Sequence, residues 1–527
     1  MKNKLIKYFP FVMIVLVTIF YFEYSVSILW DSAHYMNYVN IFEGNLAWNQ
    51  WDVVRGPVFP IIIYLGNFIF GKTSQGLIMN TYLYYVIMLV FCYRILREFF
   101  LEDKKVTIKK RNVIIGLFIF LMIIINPIIF GFYHSLLTEF VAITLSVVSC
   151  YYAYKMLEID FFLMRKRYIG ILCLFIFLTI FSWFLKQPYV SCGLFAFVIS
   201  IFISIFEKRN WKNIIVRVSS LLICVFCLGI TIIGWNKFLA VAGNNPDTGR
   251  NPTNSLGSQM INAIDFLEIK TDKDIYKTDY IRGSKLSRKE QAELLISDDN
   301  NYVIVNIFEN GELVDADYII TKDEYGNIST FDAAFYIMRV FVNRPIELLE
   351  TYLTNYLSII DIYSTRSIDG VGYESNKEID LSFSNEISAI AFKPYFYAGS
   401  NIFYMTDEMY ERVSCYEQTN YVFKGLNFIM RKLGIVFLAI FKLVFLLLPI
   451  LLLSSLVMRF VTKKTEPYKK NLNLVIILLG FSLLHVMLHT VTGAIIDRYA
   501  IPAFVATILG TFMFLRLTLK NIKIKRK

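Results

Sequence analysis

Charge is scarce in this chain. Asp, Glu, Lys and Arg make up 18% of its 527 residues, while 56% are hydrophobic. That balance excludes an ordinary soluble enzyme and points to a protein that crosses a membrane several times. Cysteine is sparse as well. Seven are present, and all but Cys415 (Cys92, Cys150, Cys173, Cys192, Cys224 and Cys227) fall in or beside apolar stretches. No disulfide framework is visible. Cys224 and Cys227 form a C-x-x-C inside an apolar run and read as small packing residues rather than a metal or redox pair. The chain lacks a Gly-rich phosphate cradle of the nucleotide-binding kind, a serine-hydrolase elbow, an internal repeat and a low-complexity tract. The formal charge of +11 does not imply nucleic acid, because much of the basic excess lies in short loops between apolar runs, where it fixes orientation.

Aromatic residues are abundant, with 47 Phe and 34 Tyr, as suits helices in lipid with rings at both interfaces. Stretches long enough to span a bilayer fall at about 9–29, 77–96, 113–131, 138–157, 168–186, 189–206, 214–238, 433–456, 472–489 and 499–517. The expected fold class is therefore mainly α: a polytopic transmembrane helical bundle of about ten spans. The two spans flanking Lys186-Gln187-Pro188 could also be one kinked element. Lys2, Lys4 and Lys7 precede the first apolar run without a convincing cleavage site, which reads as an uncleaved anchor.

Basic residues cluster in alternate loops. Arg97, Lys104, Lys105, Lys109 and Lys110 share one; Arg165-Lys166-Arg167, Lys208-Arg209, Lys463-Lys464 and Lys469-Lys470 mark others, and Lys520, Lys523, Lys525, Arg526 and Lys527 end the chain. With both termini cytoplasmic, all of these groups fall inside. Three regions follow: a transmembrane module at 1–238 with a first outer loop at 30–76, an extracytoplasmic segment at 239–432, and C-terminal transmembrane helices at 433–527.

The long segment alone has soluble-domain composition. Asn244 to Gly249 reads as a turn-rich entry. Ser287 and Glu290 have capping-box spacing. Tyr302–Phe308 alternates like a strand, followed by a turn at Glu309-Asn310-Gly311. Ala333–Val342 and Pro345–Ile360 have helical spacing. A small mixed α/β domain is expected there. Pro57–Gly76 is too interrupted for a span and reads as an interfacial helix.

The first outer loop carries the most informative residues. Trp30-Asp31-Ser32-Ala33-His34-Tyr35 begins where the first apolar segment ends, and Arg55-Gly56-Pro57-Val58-Phe59-Pro60 follows. A carboxylate at a bilayer surface is costly without a task or a partner. A second acid, Glu139 in Leu136-Leu137-Thr138-Glu139-Phe140, opens a later helix from the same side. Near the end, Arg498-Tyr499-Ala500-Ile501-Pro502 opens another.

In order and depth these three pieces resemble the C-type superfamily of glycosyltransferases (GT-C), nearest to its protein O-mannosyltransferase and aminoarabinose-transferase branch. The resemblance covers the membrane part and leaves most of 240–430 unmatched. It implies a polytopic enzyme that takes a sugar from a polyprenyl-phosphate carrier on the outer face. The acceptor would be an envelope glycan, a lipid or a protein, with inversion at the sugar carbon. Many relatives have Asp-Glu in the first motif, whereas Ser32 follows Asp31 here. A divalent metal at that position is therefore left open.

Such a transfer needs a base for the acceptor and positive charge for the leaving phosphate. Asp31 is the base candidate, with a plain helix terminator as the other reading. Arg498 is the leading phosphate ligand, because a guanidinium can grip two oxygens; pairing with Asp497 or snorkelling accounts for it equally well. Lys186 and Arg55 are the further phosphate candidates. Glu139 could bind metal, position the acceptor or form an ion pair, and the helix dipole alone would favour it there. His485 and His489 share a helical face in His-x-x-x-His, but Val486 stands where a metalloprotease motif needs Glu. They read as metal or phosphate ligands, or as hydrogen-bonded histidines lining a polar pocket. Tyr35, His34 and Tyr499 complete the substrate-binding candidates, and His134 also falls on the outer side. The competing classes are a polysaccharide polymerase or ligase using lipid-linked glycans, and a transporter. Transport calls for charges near the bilayer centre, whereas these lie at the rim.

Overall fold

The computed structural model describes residues 18–22, 24, 26, 30–51, 55–101, 107–207, 210–243, 257, 260, 267–270, 302–309, 312–321, 330–343, 345–360, 424–461, 466–492 and 497–525. Most of the expected span at 9–29 lies outside them, as do the turn at 244–249, the capping box at Ser287–Glu290, and Asn310 and Gly311.

Helix α1 (Trp30–Phe42) and the short α2 (Val58–Phe70) precede α3 (Ser74–Leu101). The chain continues through α4 (Ile108–Ile119), α5 (Pro127–Tyr133), α6 (Glu139–Leu157), α7 (Arg165–Leu185), α8 (Val190–Phe206) and α9 (Trp211–Val241). Strands β1 (Leu267–Lys270), β2 (Tyr302–Glu309) and β3 (Glu312–Thr321) form an antiparallel sheet in that order. Helices α10 (Thr330–Asn343) and α11 (Pro345–Ile359) follow, then α12 (Lys424–Val461), α13 (Glu466–Val491) and α14 (Ile501–Lys525). Among the described residues, 8 helices are long and apolar enough to cross a membrane.

The apolar stretch at 113–131 is not one continuous helix. It is a broken element, bent by 68° between Lys110–Ile124 and Pro127–Tyr133. A π-helical turn at Phe120–Ile124 loosens the first half. Pro127 has no N–H to continue the ladder, and the Asn126 side chain accepts from Ile128 N at 3.0 Å, starting a new helix. By contrast, Lys186-Gln187-Pro188 separates two spans through a 3-10 turn at Gln187–Tyr189.

Helix α6 is central and packs on α3, α8 and α14. Two of its hydroxyls turn back on the helix, Thr144 donating to Phe140 O at 3.1 Å and Ser146 to Ala142 O at 2.8 Å, while Ser149 donates to Gly193 O of α8 at 3.4 Å. Small polar residues of this kind let helices pack closely without leaving donors stranded. Gly193 on α8 does the same by omission. A Cβ there would stand 2.6 Å from Leu178 O on α7. Helix α9 lies outermost, its apolar face largely uncovered.

The charges sort by end of the bundle. At one end Lys155 pairs with Glu98 at 2.8 Å and Glu158 at 3.0 Å, Arg459 pairs with Glu207, and Asn473 donates to Glu207 at 2.6 Å. There the buried Arg217 of α9 donates to the carbonyls of Met156, Leu157 and Ile159, capping α6. The other end holds the start of α6. Helix α9 leaves the bundle at this second end, where Trp235 meets Phe184 of α7. Helix α12 reaches Arg459 at the first end, so it enters from the second. The 239–432 segment thus departs and returns on the Glu139 side.

Candidate functional site

Glu139 is the first residue of α6, where the helix dipole favours a carboxylate. It is completely buried. Tyr189 donates its hydroxyl to Glu139 Oε1 at 2.8 Å, and Thr138 donates to Oε2 at 3.3 Å. Two cations face the same carboxylate. Arg498 Nε lies 3.5 Å from Oε1, and Lys186 Nζ lies 3.8 Å from it.

Each cation is placed by a break in helix. Lys186 is the extended residue that closes α7, and a cation is favoured at a helix C-terminus. Arg498 belongs to a 3-10 turn, Asp497–Ala500, leading into α14. Arg498 is buried, 4% exposed, and Lys186 is partly buried. The Lys186 ammonium also stands over the Tyr499 ring, 4.3 Å from its centroid. Burial lowers the Lys186 pKa, yet Tyr499, Glu139 and Tyr35 together outweigh burial and the opposing Arg498, so its pKa lies above the usual lysine value and the group stays charged.

The two histidines of α13 part company. His485 is occupied at both nitrogens, with Nδ1 2.6 Å from Ser191 Oγ and Nε2 2.8 Å from Tyr499 O. Nε2–H donating to the carbonyl, with Nδ1 accepting from Ser191, satisfies a neutral ring. It is a structural tie between α13, α8 and the Arg498 turn. His489 is equally buried, but neither ring nitrogen has a hydrogen-bond partner among the described residues. Its ring stacks on Tyr499 at 4.9 Å and meets His485 edge-on at 4.8 Å. An unsatisfied buried polar group costs about 1–3 kcal/mol.

The segment at 30–76 reaches this cluster through its neighbours. Asp31 and His34 lie on α1, and their side chains fall outside the described residues. Ser32, next to Asp31, donates to Leu136 O, three residues before Glu139. Tyr35 packs edge-on to Phe59 at 4.9 Å, and Phe59 meets Phe140 at 5.8 Å. The Arg55 guanidinium stands 5.1 Å from the Tyr35 ring centroid, and Trp51 Nε1 donates to Arg55 O at 2.8 Å. Gly56 is seated so tightly that a Cβ would overlap the carbonyl of Phe184. The Arg55-Gly56-Pro57 stretch therefore sits against the end of α7 that carries Lys186.

The candidates Glu139, Lys186, Arg498, Tyr499, His485 and His489 thus form one cluster, with Tyr35 of α1 and Arg55 before α2 in the adjoining segment. His134 lies apart, its ring nitrogens 2.9 Å from Phe130 O and Tyr21 O, tying Tyr21 to α5. Tyr189 and Ser191 were not anticipated. Their only sequence signal is two hydroxyls just after Lys186-Gln187-Pro188. Among the described residues, no three His, Cys, Asp or Glu side chains converge as a metal site would require. Comparisons with protein-family models, curated proteins and solved structures gave no match.

The arrangement can do one thing well. The buried Arg498 and the partly exposed Lys186 face one buried carboxylate, and the His489 ring beside them has no hydrogen-bond partner among the described residues. That suits an anion brought in from the rim of the bundle.

Proposed function

We propose that the protein is an integral-membrane glycosyltransferase that takes a sugar from a polyprenyl-phosphate donor and passes it to an envelope glycan, lipid or protein. The observation that carries this reading is the meeting of Lys186 and Arg498 around Glu139. A lipid phosphate needs that pairing of charges at a membrane rim. The basic loops at the Glu158 end favour that end as cytoplasmic. The site, and the 239–432 segment as a small mixed α/β domain, then face outward.

In the reaction, the acceptor oxygen attacks the sugar's anomeric carbon opposite the phosphate. Asp31 takes the acceptor proton as the new C–O bond forms. The bond from carbon to phosphate oxygen breaks, its electron pair stays on that oxygen, and the configuration inverts. The phosphodiester monoanion becomes a monoester with a second negative charge, which Lys186 and Arg498 stabilise as it develops. Glu139 orients both cations and is too enclosed by Tyr189 and Thr138 to serve the acceptor. A polymerase or ligase acting on lipid-linked glycans would use the same groups, with Arg498 and His489 holding the lipid phosphate.

The test is binding of a radiolabelled polyprenyl-phosphate sugar to the purified full chain. Arg498→Ala and Lys186→Ala should each weaken binding about ten- to a hundredfold. Arg498→Lys should fall between, since it keeps the charge and loses the planar fork. Equal affinities across the series would remove the phosphate from this site.

A further inference from the structure

We propose that His489 is a hydrogen-bond donor to the phosphoryl group that favours the phosphomonoester product over the phosphodiester donor. This rests on the phosphate-lipid reading of the site and adds a residue with a distinct task. The argument starts from the contrast between two rings one helical turn apart. His485 spends both nitrogens on Ser191 and Tyr499 O. His489, on the same face of α13 and fully buried, spends neither on any described residue.

Its surroundings fix what it can meet. The ring is held between Tyr499 at 4.9 Å and His485 at 4.8 Å, with Tyr189 further off at 6.3 Å. Tyr499 is also the ring beneath Lys186 Nζ. His489 and the Lys186 ammonium thus share the Tyr499 ring as a common neighbour, so a group bound by Lys186 lies within one ring of the histidine. Tyr189 is committed to Glu139, so the nearest phenol does not compete for that edge. A neutral imidazole offers one N–H. A hydrogen bond strengthens with the charge of its acceptor, so this N–H gains most when the phosphate carries its second negative charge. Binding that improves as the charge develops is what assists the transfer step.

The experiment measures affinity of the purified full chain, in detergent, for farnesyl phosphate, a monoester, and farnesyl methyl phosphate, a diester. The wild type should bind the monoester more tightly. In His489→Phe the monoester should weaken about ten- to a hundredfold, the diester much less, and the preference should narrow. His489→Gln, which retains an N–H donor, should lie between. His485→Gln should lower the melting temperature yet keep the monoester preference, which separates a structural histidine from a binding one. An unchanged preference in folded His489→Phe, or in His489→Leu should the Phe variant not fold, overturns the assignment while leaving the phosphate site intact. If the wild type binds neither ester, the phosphate reading itself fails and takes this inference with it.

Discussion

Glu139→Gln is the most revealing single change. It keeps the shape of the side chain and its acceptance of the Tyr189 hydroxyl, and it removes only the charge. In the wild type, two cations stand 3.5 and 3.8 Å from one carboxylate oxygen. At an effective dielectric of about 20, each attraction is roughly 4–5 kcal/mol before desolvation is counted. Breaking a buried ion pair by neutralising one partner costs about 3–5 kcal/mol net. The variant should therefore melt well below the wild type. It should also bind anions more tightly, because the positive charge at the pocket rises by one. An anion bound at about 100 times its Kd contributes about 2.7 kcal/mol, so farnesyl phosphate should restore much of the loss. The assay is thermal unfolding of both proteins in detergent, with and without farnesyl phosphate. The reasoning expects a lower melting point for Glu139→Gln and a larger ligand-induced rise than in the wild type. Equal melting points, or equal rises, would refute the view that Glu139 holds the two cations in place.

Three further outcomes are expected. Asp31→Asn should leave the fold intact and lower turnover by about two or more orders of magnitude; near-normal transfer by the purified variant would remove Asp31 from the mechanism. Gly56→Ala forces a methyl into the Phe184 carbonyl and should cost about 1–3 kcal/mol as overpacking, read as a lower melting temperature together with weaker donor binding. A Ser297→Cys variant should react with a membrane-impermeant thiol reagent from outside intact cells, and labelling from the cytoplasmic side alone would reverse the orientation.

The spans were legible because length and apolarity alone decide whether a helix can cross a membrane. At Pro188 the sequence left two spans or one kinked element open, because a proline can do either, and the 3-10 turn at Gln187–Tyr189 decides for two. The bend at Asn126–Pro127 was not. Apolar residues continue on both sides, so hydropathy reads straight through a change that is made by backbone hydrogen bonds. Lys186, Arg498 and Glu139 could be picked out singly as charges at helix ends, but their meeting depends on how α6, α7 and α14 pack. The two histidines were indistinguishable in sequence, since what separates them is a serine on α8 and a carbonyl in the Arg498 turn. Gly56 was visible as part of a motif, yet its tight seat on Phe184 belongs to tertiary contact alone.

The site lies on a seam. Glu139, Lys186 and Tyr189 come from the part of the chain before the 239–432 segment, whereas His489, Arg498 and Tyr499 come after it. During synthesis the first part can already set Glu139 against Lys186, one charge of each sign. The second cation and the histidines join only when the last two spans are inserted. On the proposed reading, an incomplete chain would offer only the Glu139–Lys186 pair to phosphate lipids, and affinity for them would arise only with the final helix.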